Sequence, residues 1–321
     1  DEIQEINGWE KAVNSLLEGS DADIYVTGSN SKLMSSEIST YLTGRYVSIP
    51  VYTLSFREYL DFKAGSALSQ KELLEEYIRF GGFPIIALSE YDAQNAYQIV
   101  NGIYHTVVSR DIVKRHRINK QDLFDRVVKY IIENMGKTFS ANSISTFLKS
   151  EHRKVSVESI YNYLRWLEQA FIIYPCERYD LQGKSILKTQ EKYYLSDVSL
   201  KYALLGYNRK MLDGAMENIV FLELKRRGYD VFIGKNDTKE IDFVATRRDE
   251  RIYVQVCVRI PETSDREVVQ LADNSGREVG NLMEIRDHYP KYVVTLNEMD
   301  IGIENGIRIV HLADFLIAEA W

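Results

Sequence analysis

The stretch GAMENIVFLELKRRGYDVFIGKNDTKEIDFVATRRDERIYVQVCV, residues 214–258, determines the fold class expected of this chain. It begins with a helical pattern at Gly214–Arg227. Three apolar, β-branched runs follow at Tyr229–Ile233, Glu240–Ala245 and Ile252–Val258, each short enough to be a buried strand. A helix followed by neighbouring strands indicates an α/β unit, which we predict over residues 201–321.

N-terminal to this unit, the sequence predicts three short helices and a β-ribbon. The helical patterns cover Leu123–Met135, Ser140–Leu148 and Ser156–Ala170, and the ribbon covers Phe171–Leu195 with a turn near Gly183. Three helices followed by a hairpin are the element order of a winged helix-turn-helix. We therefore interpret residues 121–200 as a winged-helix domain.

The first 120 residues divide into an α/β part and a helical part. Ile24–Thr27 and Tyr46–Leu54 are apolar runs typical of strands, and helical spacing from about Lys32 to Leu42 separates them. Strand, helix and strand in this order favour a parallel α/β layer over residues 1–55. Residues 56–120 have helical periodicity, interrupted by the turn at Gly81–Pro84.

The composition is that of globular domains and excludes several classes of protein. Of the 321 residues, 45% are apolar and 27% charged, which rules out collagen-like and disordered chains. A net charge of −7 excludes a protein that coats nucleic acid by bulk charge, although a local basic patch can exist. No run is long and apolar enough to be a membrane helix. Cys176 and Cys257 lack zinc or disulfide spacing, which indicates a reducing, cytoplasmic setting.

Polar residues of the first α/β segment could serve phosphate chemistry. An Asp-Glu pair such as Asp1-Glu2 can place one carboxylate on magnesium and the next on a water that attacks a γ-phosphate. The predicted strand Ile24–Thr27 leads into Ser29 and Asn30, whose side chains could face a phosphate, and Arg45 could reach the nucleotide of a neighbouring subunit. Two alternatives stay open, because an Asp-Glu pair is also a common helix cap and a helix-end arginine is often only solvated.

Six runs carry a resemblance to a known family: DEIQEI (1–6), VTGSNS (26–31), LTGRY (42–46), LSFREYL (54–60), YIRFGGFP (77–84) and SRDIVKR (109–115). In this order they resemble AAA-type ATPases of bacteria and archaea that carry a C-terminal domain of unknown function similar to PD-(D/E)XK nucleases. The resemblance covers essentially the whole chain. It implies a multidomain α/β protein with a partial AAA-like P-loop core over residues 1–55, a helical lid over 56–120 and a restriction-endonuclease-like domain over 201–321.

The same resemblance implies ATP and Mg²⁺ as ligands and gives roles to N-terminal residues. Asp1 and Glu2 match the Walker B acids, Asn30 with Ser29 matches the first sensor, and Arg45 lies where an arginine finger or sensor is expected. The phosphate-binding loop G-x-x-x-x-G-K-[ST] is absent from these residues and lies upstream of Walker B in the family. We therefore expect the chain to begin at Walker B, without the main nucleotide-binding element.

The run SRDIVKR adds one weaker expectation. Its Arg110 could lie near the nucleotide lid.

In the C-terminal domain the resemblance implies a nuclease-like metal site. PD-(D/E)XK nucleases hold magnesium with acids from a helix and two strands, and a lysine two residues beyond the last acid stabilises the developing charge. Glu217, Asp242 and Gln255 match the metal positions, and Cys257 stands at the lysine position.

A neutral thiol at residue 257 cannot replace that cation. Unless Lys235, Lys239 or Arg259 takes its place, we expect a nuclease-like fold that no longer cuts.

The candidate nucleic-acid contacts lie around the third helix of the predicted winged helix: Arg153, Lys154, Asn162, Arg165 and Lys184. Reading DNA requires several such side chains on phosphates and base edges, but glutamates share the same helix face. DNA contact, protein docking and a purely structural role all stay open.

The expected function of the intact protein is therefore ATP binding and hydrolysis, with a C-terminal domain that engages DNA or a protein partner. A trans-acting Arg45 would require a homo-oligomer. Two rival hypotheses are a nucleic-acid-binding or nuclease protein with a regulatory ATPase part, and a non-catalytic interaction module.

Overall fold

The structure is a computed structural model that describes residues 2–3, 6–19, 21–29, 45–208, 211–259 and 275–321, with backbone alone at 188–190 and 275–278. Within these ranges the chain is a mixed α/β protein with one large sheet. No helix in them is long and apolar enough to cross a membrane.

The N-terminal two thirds of the chain are mainly helical. The helices there are α1 (Trp9–Gly19), α2 (Phe56–Phe62), α3 (Gln70–Phe80), α4 (Pro84–Ala87), α5 (Ala93–Val107), α6 (Gln121–Glu133), α7 (Ala141–Ser150), α8 (Val157–Gln169) and α9 (Ser199–Leu205). A π-helical segment, Val108–Lys114, continues α5. Five of these helices have an N-cap residue whose side chain accepts a hydrogen bond from an N–H group of the first turn: Ser55, Ser69, Asp92, Ser140 and Ser156.

The C-terminal third alternates strands and helices. It contains α10 (Leu212–Arg226), β3 (Asp230–Asn236), β4 (Lys239–Arg247), β5 (Glu250–Cys257), α11 (Ser275–Met283), β6 (Lys291–Thr295), a 3₁₀ turn (Glu298–Asp300), β7 (Gly302–Glu304), β8 (Ile307–His311) and α12 (Leu312–Ile317). The ribbon that precedes it consists of β1 (Ile173–Asp180) and β2 (Ser185–Leu195).

Within the described residues, eight strands form one sheet in the order β2-β1-β3-β4-β5-β6-β8-β7. The ribbon β1–β2 is antiparallel and joins the sheet through parallel pairing of Arg178 with Ile233. Strands β3, β4 and β5 form an antiparallel meander, and β5, β6 and β8 run parallel. The ribbon is therefore continuous with the C-terminal sheet.

Helix α10 is central to the core. It packs against β2, β3, β4 and β5 and also against α3, so most of its residues are buried. Because α10 is covered on nearly all sides, it carries apolar residues on almost every face. The four consecutive residues Ile219–Leu222 are all buried. Phe221 of α10 stacks on Tyr194 of β2 with ring centroids 4.5 Å apart.

The turn at Gly81–Pro84 joins the helical part to the start of α9. Asp197, which is buried, accepts a hydrogen bond from the Gly82 N–H at 2.8 Å. A Cβ atom on Gly81 would lie 1.8 Å from Asp197 Oδ1, and one on Gly82 would lie 2.3 Å from the Leu54 carbonyl oxygen. Only glycine fits this close approach, so the predicted turn is confirmed as a fixed connection.

The predictions for residues 121–200 agree with the observed elements within a few residues, whereas two strand predictions near the N-terminus are wrong. Residues 24–27 and 46–54 form no strand. Val47 and Val51 are 87% and 91% exposed. A strand needs a neighbouring strand for its backbone groups, and the sheet formed by the described residues does not include these two segments. The predicted helix at 32–42 lies outside the described residues.

Candidate functional site

Two clusters of charged side chains stand out. The first, which we call the N-terminal cluster, consists of Glu2, Ser29, Arg110, Asp111 and Arg115. Glu2 Oε2 accepts hydrogen bonds from Ser29 Oγ at 3.0 Å and from the Ser29 N–H at 3.3 Å. Ser29 Oγ in turn accepts a 2.8 Å bond from Arg110 Nη2, so the hydroxyl is both donor and acceptor.

Arg110 joins the helical part of the chain to this carboxylate. Its Nη2 lies 3.2 Å from Glu2 Oε1, and its Nε and Nη2 form a fork with Asp111 at 3.2 and 3.1 Å. Asp111 is fully buried and also lies 3.5 Å from Arg115 Nη2. The hydrogen bonds to Asp111 raise the pKa of Arg110, which therefore stays charged.

Arg110 and Asp111 both lie on the π-helical segment Val108–Lys114. Asp111 is buried there together with Val108 and Ile112. Single π-helical turns within α-helices occur frequently at functional sites.

The N-terminal cluster suits a magnesium nucleotide. Mg²⁺ is typically held by one or two oxygen ligands from the protein, with phosphate oxygens and waters completing its shell. Asp1, the acid that the resemblance assigns to magnesium, lies outside the described residues. Its neighbour Glu2 is partly exposed, and with Ser29 it supplies oxygen atoms that can face the water and phosphate of such a complex. The chemistry of these donors therefore fits a metal that arrives with its nucleotide.

The other predicted nucleotide-site residues lie elsewhere or outside the described residues. Asp1 and Asn30 belong to the undescribed positions. Arg45 donates to Asn14 Oδ1 at 3.2 Å and lies 3.9 Å from Glu18, with a side chain that is 57% exposed. Within one chain it thus contacts α1 rather than the N-terminal cluster, so its predicted role depends on a neighbouring subunit.

The second group, which we call the C-terminal cluster, consists of Lys192, Glu217, Glu240 and Asp242. The buried Lys192 Nζ lies 2.9 Å from Glu240, 3.3 Å from Glu217 and 3.7 Å from Asp242. Burial alone would lower the pKa of Lys192, but the three carboxylates outweigh it and raise the pKa above its ordinary value. The ammonium group is therefore permanently charged.

Neighbouring groups hold the carboxylates of this cluster in place. Asp242 Oδ2 accepts from the Val256 N–H at 2.9 Å, and Gln255 Oε1 accepts from the Asp242 N–H at 3.1 Å. The Tyr194 hydroxyl donates to Glu217 Oε2 at 3.0 Å. Burial and the nearby Glu217 raise the pKa of Tyr194 well above its usual range, so the phenol remains a donor.

The structure brings Glu217, Asp242 and Gln255, which the resemblance assigns to a metal site, to one region, but with a lysine between the acids. Among the described residues no three His, Cys, Asp or Glu side chains are arranged to hold a metal ion. Lys239 pairs with Glu284, the residue after α11, rather than with these acids. Cys257, the last residue of β5, is buried in an apolar cluster with Tyr253 and Val293.

Lys192 is buried, although it lies in the ribbon that the sequence predicts as the wing. In a strand, residues two apart share a face, so Lys192 is on the same face as the fully buried Tyr194. The same rule places Glu240 beside Asp242 on β4. This alternation is the signal in the sequence that could have identified both residues.

Lys201 of α9 is a further buried amine near Glu217. A Cβ atom added to Gly214 would lie 3.3 Å from the Lys201 Nζ. A Cβ atom added to Gly136 would lie 3.2 Å from Glu217 Oε2. Burial lowers the pKa of Lys201 to about 8, although Glu217 acts in the opposite direction.

The predicted nucleic-acid contacts lie on exposed turns and on α8. Arg153 pairs with Asp122 at 3.1 Å, and Arg165 donates to Asn162 Oδ1 at 2.7 Å. Lys154 precedes α8, and Lys184 occupies the β1–β2 turn with a φ of +49°. Their role in binding stays a prediction.

Comparison with known proteins gives two partial matches to family models. An AAA domain matches residues 1–60, and a domain of unknown function, DUF8612, matches residues 71–210. No solved structure matches the chain significantly.

Three uncharacterized proteins are similar over most of the chain. One from Haemophilus influenzae is 37% identical over 99% of this chain and 76% of its own length. Two from Methanocaldococcus jannaschii are 34% identical over 84% of the chain and 25% identical over 72%, and the matches span 62% and 54% of those proteins.

Proposed function

Because the chain belongs to an AAA-type, ATPase-like family, we propose that the protein binds ATP with Mg²⁺ and hydrolyses it. The observation that carries this proposal is the convergence of Glu2, Ser29 and Arg110, which come from positions 27 to 108 residues apart. Two of the three lie in the segment that the AAA domain matches.

In this proposal Glu2 is the catalytic carboxylate. Ser29 orients it through two hydrogen bonds, so that one carboxylate oxygen can accept a proton from the attacking water. Asp1 and Asn30 supply the second acid and the sensor amide, and Arg45 acts on the nucleotide of a neighbouring subunit. A bound Mg²⁺ would neutralise charge on the phosphate oxygens.

The test is phosphate release by the protein expressed from its natural start codon. We expect Glu2→Gln to lower kcat by about a hundredfold or more, since glutamine cannot act as a base. Glu18→Gln, on an exposed position of α1, is the matched control and should leave kcat unchanged. Equal turnover in Glu2→Gln would refute the role of Glu2. A wild-type protein that neither binds nor hydrolyses ATP would favour the non-catalytic interaction module.

A second candidate function, phosphodiester cleavage by the C-terminal unit, is favoured by the position of Lys192. The sequence has Cys257 where a PD-(D/E)XK nuclease has its lysine, and Lys192 brings a cation to Glu217 and Asp242 from β2 instead. In this proposal the two acids carry the metal, and Lys192 stabilises the charge that develops on the phosphate. The cysteine at residue 257 alone predicts no cleavage, whereas a catalytic Lys192 predicts that DNA is cut, and the two expectations can be tested against each other.

The cleavage test uses duplex DNA with Mg²⁺ and compares the wild type with Lys192→Met and with the exposed control Lys71→Met. Loss of cleavage in Lys192→Met but not in Lys71→Met, at a urea concentration where circular dichroism shows both variants folded, supports the proposal, and absence of cleavage in the wild type refutes it.

DNA binding by a winged helix formed by residues 121–200 is tested separately by fluorescence anisotropy. It requires affinity that falls steeply with salt. We also propose that the protein is cytoplasmic, engages a protein partner and forms a homo-oligomer.

A further inference from the structure

The N-terminus of α10 lies beside a buried ammonium group without a partner. Lys201 of α9 is 3% exposed, and its Nζ forms no hydrogen bond or ion pair with the residues that the structure describes. Nearby charged groups act on it only at longer range. A Cβ atom on Gly214, the third residue of α10, would lie 3.3 Å from this Nζ. The amine is therefore directed at the first turn of the helix.

The first turn of α10 is not capped by its N-cap residue. Met211, which occupies that position, makes no side-chain hydrogen bond to the turn. The N–H groups there lack partners within the helix and form the positive end of its dipole. Burial lowers the pKa of Lys201, and the positive charge of the nearby, exposed Lys137 acts in the same direction. The helix end, Lys201 and Lys137 thus place three sources of positive charge in one region.

Two acids near this region leave its positive charge largely uncompensated. Glu217 is shared with Lys192 Nζ at 3.3 Å and with the Tyr194 hydroxyl at 3.0 Å. Asp213 belongs to the first turn, but it is exposed, so water and ions screen its charge. A buried cation without a hydrogen-bonded partner is unfavourable. An anion between Lys201 and the helix end would supply that partner.

We propose that the first turn of α10 and Lys201 together bind a phosphate group. Backbone N–H groups at a helix N-terminus are a common phosphate site, and an ammonium group adds up to three donors. Residue 214 is a partly exposed glycine, so a phosphate oxygen can approach the backbone without meeting a Cβ atom. Free phosphate and the backbone of a nucleic acid share this chemistry. The binding requires neither ATP hydrolysis by the N-terminal cluster nor cleavage by the C-terminal cluster.

The first experiment measures binding of inorganic phosphate by calorimetry at constant ionic strength, with the protein expressed from its natural start codon. Lys201→Met should weaken binding by about tenfold to a hundredfold, the loss typical of a hydrogen bond to a charged group. Gly214→Ala should weaken it too, because its Cβ atom would lie where the phosphate approaches. Lys71→Met, at an exposed lysine, and Gly102→Ala, at an open glycine, are the matched controls and should leave the dissociation constant unchanged. Circular dichroism checks that all four variants are folded.

A second measurement identifies the source of the phosphate group. It follows the fluorescence anisotropy of a labelled DNA duplex with the same variants at the same ionic strength. Weaker DNA binding in both Lys201→Met and Gly214→Ala, but in neither control, assigns the site to the backbone of a nucleic acid. Loss of phosphate binding with unchanged DNA affinity assigns it to free phosphate. Unchanged affinities for both probes in both variants, or a wild type that binds neither probe, would overturn the proposal while leaving the proposed ATP hydrolysis intact.

Discussion

Replacing Lys192 by methionine should be one of the most destabilising single changes in the C-terminal unit. Methionine keeps the length of the side chain but removes the ammonium group that lies 3.3 Å from Glu217 and 3.7 Å from Asp242. Those two carboxylates are only 15% and 11% exposed, so neither can regain full hydration. Removing one partner of a buried ion pair costs about 3–5 kcal/mol. Glu240 is 38% exposed and adds little, about 0–1 kcal/mol.

The assay is urea unfolding followed by circular dichroism at neutral pH. Lys71→Met is the matched control, because Lys71 forms an exposed pair with Glu298 and its loss should cost about 0–1 kcal/mol. Adding Glu217→Gln to Lys192→Met should restore part of the stability, since it removes one of the stranded charges. Equal unfolding free energies for Lys192→Met and Lys71→Met would refute the reasoning, because Lys192 would then not compensate buried charge.

Two further predictions concern stability. Gly82→Ala should destabilise the protein by about 1–3 kcal/mol or more, since its Cβ would lie 2.3 Å from a backbone oxygen, whereas Gly102→Ala, at an open position of α5, should stabilise it by about 0.5–1 kcal/mol. Thermal unfolding of both variants checks this, and a Gly82→Ala protein as stable as the wild type would contradict the close packing. Burial lowers the pKa of Lys201 to about 8 from 10.5. Above pH 8 the unfolded chain then holds more protons than the folded one, so this group makes stability rise as the pH increases from 8 towards 10.5. Lys201→Met should remove that rise in urea titrations between these pH values, and an identical pH profile in the variant would show that the amine is not desolvated.

The sequence was sufficient where local pattern determines structure. The three helices of residues 121–200 and the ribbon that follows have strong periodicity and, at Ser140 and Ser156, good caps, so their positions could be predicted within a few residues. The strands Ile307–His311 and Lys291–Thr295 were predictable from short β-branched runs for the same reason.

The two N-terminal strand predictions failed because the apolar pattern of a strand says nothing about its partner. Val47 and Val51 are of the residue type that favours buried strands, but both are exposed, and neither belongs to a strand of the sheet that the described residues form. Sheet membership is a tertiary property, and local preference alone does not supply it.

The candidate sites show the same division between local and long-range information. The motif runs assigned Glu2 and Ser29 to one nucleotide site, and in the structure the two side chains are hydrogen-bonded. Arg110 and Lys192 reach their carboxylates across 108 and 25 residues of chain, distances over which sequence spacing carries no geometric information. Strand alternation could still have placed Lys192 on the buried face with Tyr194.

The most direct test of the central claim is the rate of Mg²⁺-dependent phosphate release by the protein expressed from its natural start codon, measured beside Glu2→Gln. ATPase turnover that falls about a hundredfold or more in the variant, with its ATP binding retained, is the expected result. Turnover that is unchanged in Glu2→Gln, or a wild-type protein that never hydrolyses ATP, would contradict the assignment of the N-terminal cluster as an ATPase site.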